Sequence, residues 1–177
     1  MILGKILINS GFDKEPYYVE PMNLKEEDIC IYAIANSLCK LSRFNGHYVS
    51  NDIYSVAQHS IIGARIFMDK GEIEKAKQFL IHDAAEAYFS DVPKPIKEIM
   101  PIVYEIEDHI TQVIAKAFNL EFPFSQDVHE MDAYLADWEL ENLVKQKDVK
   151  EGKIVLLSVE QNRNMFIELA KNLNLIQ

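Results

Sequence analysis

Cysteine is nearly absent: Cys30 and Cys39 are the only two in 177 residues, nine positions apart. That interval falls off the three-to-four spacing that lines residues up on a helix, so a disulfide between them is sterically excluded and both thiols read as small apolar filler in a reducing compartment. Glycine and proline are equally sparse, six of each, and nowhere do they gather into a linker. One domain is therefore expected, and a hydrophobic content of 49% is enough to give it a core. Long apolar runs are missing too. Charge interrupts each of them within about ten residues, short of the roughly 20 that a membrane-spanning helix needs. The opening MILGKILINSGFDKE lacks the length and small-residue cleavage pattern of a signal peptide, which points to the cytosol and away from a membrane. Positive charge is the last scarcity. With 18 basic against 28 acidic residues the net charge is −10, which argues against a broad surface for a nucleic-acid polymer. It leaves room for a small phosphorylated ligand, because a metal ion and one or two arginines can make a cleft locally positive.

What the chain does contain is helical periodicity. After an extended or hairpin-like arm (residues 1–24), the spacing of apolar residues predicts a helix over Glu26–Leu41, with its acidic residues at the N-terminal end and Gly46 beyond it as a stop. Ser55 with Gln58 forms a capping-box pattern ahead of a helix running to Met68, and a third helix is predicted from Glu72 to Phe89. The turn SDVPKP follows, then a fourth helix over Ile96–Phe118 in which Pro101 marks either a kink or the true start. A fifth runs from Gln126 to about Val144. Ser158 with Gln161 announces a last helix over Val159–Asn172. The expected fold is all-α, a bundle of five or six helices with its core in residues 25–145.

Four metal-ligating side chains fall on three of these helices: His59 on the second, His82 and Asp83 on the third, Asp132 on the fifth. Neighbours on a helix point about 100° apart, so an adjacent His-Asp pair can share an ion only with donors from other helices. The His82-Asp83 pair sits among Phe79, Leu80, Ile81, Ala84, Ala85 and Ala87, where polar groups require hydrogen bonds, counter-charges or a metal. The plainer alternatives are a core histidine at 59 and a capping or salt-bridged carboxylate at 132. Glu130, Asp137 and Glu139 read as ordinary solvated acids. Glu86, one turn after the pair, could deprotonate or orient a water, or could instead orient a ligating histidine. Arg43 suits a phosphate and Phe44 a base, with His47 a candidate for the same pocket; all three are also consistent with a plain helix end. Lys94 and Lys97 are candidates for further phosphates or are simply solvated.

The segments SRFNGH, YSVAQHS, FLIHDAAEAYFSDVPKPIK and HEMDAYLADWE, spread over about Glu26–Leu140, resemble the HD-domain phosphohydrolases, in particular the bacterial 5'-deoxynucleotidases and the small phage dATP triphosphohydrolases. The resemblance implies an HD-domain bundle that holds one divalent transition metal (Zn, Mn, Co, Ni or Fe) through His59, His82, Asp83 and Asp132. It further implies Glu86 and Asp91 as the residues handling protons and Arg43 as the phosphate-binding arginine. Phe44 stands where the deoxynucleotidases usually carry Trp. The implied activity is hydrolysis of deoxynucleotides, with dATP cleaved to deoxyadenosine and triphosphate as the first expectation and a deoxynucleoside monophosphate as the alternative. A homo-oligomer in the cytosol of a bacterium or a phage-infected host is implied as well. Another HD activity, on cyclic nucleotides or alarmones, and a non-catalytic helical binding module are the competing readings.

Overall fold

A computed structural model describes residues 4–11, 15–48, 50–145 and 154–176, and the chain is mostly helical. The arm begins with an antiparallel strand pair, β1 (Ile6–Ile8) and β2 (Tyr17–Val19), in which Ile6 faces Val19 and Ile8 faces Tyr17. Period-two alternation decides its sides: Ile8 and Val19 go into the core, while Leu7 and Tyr18 face out. Among the described residues, no helix is long and apolar enough to cross a membrane.

The helix predicted over Glu26–Leu41 is shorter than expected. Glu26–Asp28 forms a separate 3-10 turn, closed by the Lys25 N–H donating to Asp28 Oδ2 at 3.0 Å, and α1 spans only Ile31–Leu38. Extended backbone at Ile29 and Cys30 separates the two, so the acidic residues do not sit at the start of α1. Beyond α1, Phe44, Asn45 and Gly46 take φ values of 53°, 50° and 74°, a left-handed turn that glycine alone adopts without cost. Backbone bonds from Arg43 N to Tyr54 O and from Val56 N to Leu41 O, 2.9 and 3.0 Å, close this loop and seat Arg43 beside the start of α2.

Helix α2 (Val56–Asp69) is capped as expected, with Ser55 Oγ accepting from the Gln58 N–H at 3.1 Å. The reciprocal half of the box does not form, because the Gln58 amide reaches instead to Val155 O (2.7 Å) and Leu157 N (3.2 Å) and ties down the segment before the last helix. Helix α3 (Ile73–Ile81) lies along α2 in the most extensive helix contact of the fold. Gly63 makes this approach possible: a Cβ there would lie 2.1 Å from Phe79 Cε1.

The continuous helix expected over Glu72–Phe89 is broken. After Ile81 the backbone tightens, with Ala84 N bonded to Ile81 O, Glu86 N to Asp83 O and Tyr88 N to Ala85 O, and a short α4 (Glu86–Phe89) follows. The cause is local. The carbonyl of Phe79, which would serve Asp83 N–H in a continuing helix, is taken by His82 Nδ1 at 2.7 Å. Pro101 proves to be a true helix start: α5 (Lys94–Ile99) ends at Met100 and α6 runs over Pro101–Ala117. Helix α7 (Gln126–Glu139) continues through a π-turn at Leu140–Val144, and α8 (Val159–Asn172) opens with both halves of the Ser158–Gln161 capping box.

Candidate metal centre

Three helices converge on one point. His59 from α2, His82 from the end of α3 and Asp132 from α7 each offer a ligand atom, and these atoms all lie within 4.8 Å of one another, close enough to hold a metal ion. His59 is fully buried; its Nε2 is 3.1 Å from Asp132 Oδ1, while His82 Nε2 is 3.6 Å from the same oxygen. Both Nε2 atoms are buried and face carboxylate oxygens at 3.1–3.6 Å without forming a well-aligned hydrogen bond, although each Nδ1 is anchored on the opposite side of its ring. Two desolvated, unsatisfied nitrogens aimed at one carboxylate would cost stability unless something else occupies the space between them. The donor set, two imidazoles and a carboxylate, fits a borderline divalent cation, and Asp132, with its side chain 40% exposed, leaves the site open on one side. Phe79 braces the arrangement, its ring centroid 5.5 Å from that of His59 and 4.4 Å from that of His82.

Asp83 lies beside this group rather than within it. One oxygen is 3.2 Å from His82 Nε2 and the other 3.5 Å from Arg43 Nη1. The tightened backbone sets successive residues about 120° apart, which swings Asp83 further from His82 than an α-helix would and brings Glu86 under Asp83, three residues on.

The anchor of His59 is Glu139, a residue whose sequence context suggested only a solvated acid. Its side chain is fully buried; Oε1 accepts from His59 Nδ1 at 2.6 Å and from the Tyr54 hydroxyl at 2.5 Å, and Oε2 accepts from Arg43 Nε at 3.0 Å. A carboxylate behind a histidine fixes its tautomer and turns the free nitrogen toward the ion. A signal was present: Glu139 follows Asp132 by seven residues, two turns along the same face of α7. Glu130 and Asp137, by contrast, are exposed as expected.

The electrostatics follow from this crowding. Burial alone would raise the carboxyls of Asp132 and Glu139, but contact with His59 and His82 holds Asp132 well below the usual range, and His59 followed by Arg43 holds Glu139 down. Asp83 falls to about 2, where His82 outweighs burial. Burial works against the charge on His82, yet Asp83 and Asp132 raise it well above an ordinary imidazole. Arg43, desolvated but flanked by Glu139 and Asp83, stays a cation. Glu86 goes the other way: burial, then Asp83 and Asp91, push it to about 10, and Asp91 is itself raised by burial. The two carboxyls adjoin, and Glu86 Oε2 is a buried atom without a partner.

Above the donors opens a cleft of about 850 Å³ whose floor includes His82, Asp83 and Asp132. Lys94 and Lys97 line it as candidates for phosphate contact, but Lys97 is held by both oxygens of Glu107 at 2.7 and 2.6 Å. Arg43, Phe44, His47, Glu86 and Asp91 are not among its lining residues, although Arg43 reaches Asp83, which is. Phe44 lies under the Arg43 guanidinium, 5.6 Å from ring centroid to Cζ, and His47 is exposed after the left-handed turn. The cleft wall is instead made by Tyr104, Phe122, Pro123 and Phe124, none of which stood out in the sequence.

The uncharacterized protein YfdR of Escherichia coli K12 is 33% identical to this chain over 132 residues, which cover 75% of the chain and 70% of YfdR. The chain belongs to the YfdR family. An uncharacterized protein of Rhodobacter capsulatus is similar as well, 28% identical over 142 residues covering 76% of the chain and 70% of that protein. No family model matches the chain. The chemistry open to this YfdR-family protein is set by its own side chains.

Proposed function

We propose that this chain is a metal-dependent phosphohydrolase of the HD type that acts on deoxynucleotides. One observation carries the reading: the buried Nε2 atoms of His59 and His82 converge with Asp132 within 4.8 Å of one another, and His82, Asp83 and Asp132 line a cleft large enough for a nucleotide. The same donors recur in the HD pattern of His59, His82-Asp83 and Asp132. They suit Zn²⁺, Mn²⁺, Co²⁺, Ni²⁺ or Fe²⁺ better than Ca²⁺, which takes oxygen ligands. Such an ion, when bound, supplies Lewis acidity toward water and the phosphoryl group.

The chain's own residues do the rest. His59, His82 and Asp132 hold the ion, with Asp83 alongside. Arg43, kept charged and oriented by Glu139 and Asp83, places a preorganised positive charge next to the phosphate, and Lys94 adds one from the cleft wall. Glu86 and Asp91, an adjoining carboxyl pair both raised by burial, are the groups that would hand a proton to the departing 5' oxygen.

The charges lining the cleft favour a monophosphate. Asp83, Asp132, Glu105, Glu107 and Asp108 stand against Lys94 and Lys97, and Lys97 is already neutralised by Glu107. One phosphate group, with its charge of about −1.5 to −2, can be balanced by the ion, Arg43 and Lys94; each added phosphate brings negative charge with no further unpaired Lys or Arg among the described cleft-lining residues to meet it. The dATP triphosphohydrolase reading, first on resemblance, keeps Lys94 as its one supporting side chain in the cleft. The test is to incubate the protein with Mn²⁺, Co²⁺ or Zn²⁺ and each dNMP, dNTP and NTP, and to resolve the products by chromatography. Release of inorganic phosphate from dNMPs is the expected result, and release of intact triphosphate from dATP would reverse the order of the two. No turnover with any metal and any nucleotide would end the hydrolase reading.

A further inference from the structure

The cleft over the metal donors is lined by two kinds of surface. Around His82, Asp83 and Asp132, and along Lys94, Lys97 and the acids of α6, it is charged; an aromatic surface is added by Tyr104 of α6 and the Phe122–Phe124 connector before α7. These aromatic groups are fixed rather than adaptable. Phe124 is buried, Phe122 packs against the core, and the two rings meet edge to face with centroids 5.8 Å apart. Tyr104 nonetheless leaves 42% of its surface to solvent, an exposed ring on the wall of a cavity of about 850 Å³. Asp108 and Thr111 follow Tyr104 at four and seven residues, so all three share one face of α6 and all three line the cleft. Glu107 is engaged by Lys97, whereas Asp108 is exposed and has no ion-pair partner among the described residues.

We infer that this wall is a nucleobase subsite, in which Tyr104 and the Phe122–Phe124 connector offer stacking surfaces and Asp108 accepts a hydrogen bond from an exocyclic amine, so that adenine and cytosine are preferred to thymine. The inference rests on the nucleotide reading given above and adds base recognition to it. Its chemistry is general. Every base has a face that stacks on an aromatic ring, and a carboxylate accepts from the amino group of cytosine or adenine. Thymine presents a carbonyl oxygen on the corresponding edge, and two acceptors facing each other repel. Phe44, the stacking surface suggested by the sequence, does not line this cleft.

Base binding can be read without turnover. Saturation-transfer NMR on the metal-free full-length protein with deoxyadenosine, deoxycytidine and thymidine should transfer saturation to the base protons of the first two, and at least about 5-fold less to thymidine. Tyr104→Ala and Phe122→Ala should each weaken the deoxyadenosine signal or affinity by about 5- to 100-fold, the range for loss of one stacking partner. Tyr104 is exposed, so its variant is expected to keep the wild-type melting temperature even if the Phe122 variant does not. Asp108→Ala should erase the difference between deoxyadenosine and thymidine. Hydrolysis of dAMP and of base-free 2-deoxyribose 5-phosphate by the metal-loaded wild type is measured in parallel. Expected nucleoside binding with no phosphate release from either compound upholds the subsite and defeats the monophosphatase reading. Phosphate release accompanied by equal binding of thymidine and deoxyadenosine, or by unchanged binding in a folded Tyr104→Ala protein, overturns the subsite and leaves the hydrolase reading intact.

Discussion

Glu139→Gln is the substitution that tests the centre most directly, since it keeps the shape of the side chain and removes its charge. The wild-type carboxylate serves three donors: Tyr54 and His59 on Oε1 at 2.5 and 2.6 Å, and Arg43 on Oε2 at 3.0 Å. A glutamine can satisfy the first two only by turning its NH₂ toward the Arg43 N–H, donor against donor. Flipped, it confronts both Tyr54 and His59 with a donor, and His59 can then be satisfied only by moving its proton to Nε2, the atom that faces Asp132. Either way a cation or a ligand nitrogen is lost. Breaking a buried ion pair on one side costs about 3–5 kcal/mol. At about 2–4 °C per kcal/mol for a chain of this size, the melting temperature should fall by roughly 6–20 °C. Loss of the histidine's anchor should weaken metal binding by about 10- to 100-fold.

Melting by differential scanning fluorimetry and metal affinity by competition with a chelator measure the two effects separately. Adding Arg43→Met should recover part of the melting temperature by removing the orphaned cation, and should not recover the metal affinity. A Glu139→Gln protein that melts within about 2 °C of wild type and binds metal equally well would show that the carboxylate neither anchors His59 nor balances Arg43.

Gly63→Ala should destabilise by about 1–3 kcal/mol, because its Cβ would enter the Phe79 ring, and should also lower metal content, since Phe79 braces both histidines; a thermal melt and elemental analysis check both. Glu86→Gln addresses pH. Burial and the neighbouring carboxyls push Glu86 up to about 10 from an ordinary carboxyl near 4.5, so it binds its proton more tightly when folded, and the stability it contributes is full below about 4.5 and drains away as pH rises toward about 10. Melting of the metal-free wild type should therefore decline across that window, and the Gln variant should show a flatter profile with lost hydrolysis; parallel profiles would remove Glu86 from the account. Arg43→Ala should lower kcat/KM on a dNMP by about 100-fold or more. An unchanged rate would leave Arg43 as the structural partner of Glu139 alone.

The helical character and the caps at Ser55 and Ser158 could be read from spacing, because each depends on residues a few positions apart or on strongly periodic helices, whereas the meeting of His59, His82 and Asp132 is what the HD-domain resemblance implies. The break after Ile81 could not be read from spacing. The apolar pattern runs smoothly through FLIHDAAEAYF, and only a histidine ring competing for the Phe79 carbonyl interrupts it. Glu139 was obscured for a different reason: a glutamate in ADWELEN looks like any exposed acid, and its partners Tyr54, His59 and Arg43 lie 80 to 96 residues away. The cleft wall is not legible in the sequence because a pocket is a property of packed elements, and Phe44 and His47, candidates for it by their place after Arg43 and, for Phe44, by its stacking ring and the resemblance, lie outside its lining.

These observations recast what the arginine does. Read from the sequence, Arg43 is a candidate phosphate ligand at a helix end; in the structure it is the counter-charge that lets Glu139 remain ionised at zero exposure, and Glu139 in turn sets the tautomer of His59. Neither role can be varied alone. A lysine at position 43 would retain the charge but not the planar fork that reaches Glu139 through Nε and Asp83 through Nη1 at the same time. Arg43→Lys should thus weaken metal binding although residue 43 is no ligand, whereas an arginine serving only the phosphate would leave metal affinity untouched. Titrating the variant with Mn²⁺ in the absence of nucleotide distinguishes the two, and an affinity equal to that of wild type would confine Arg43 to the phosphate.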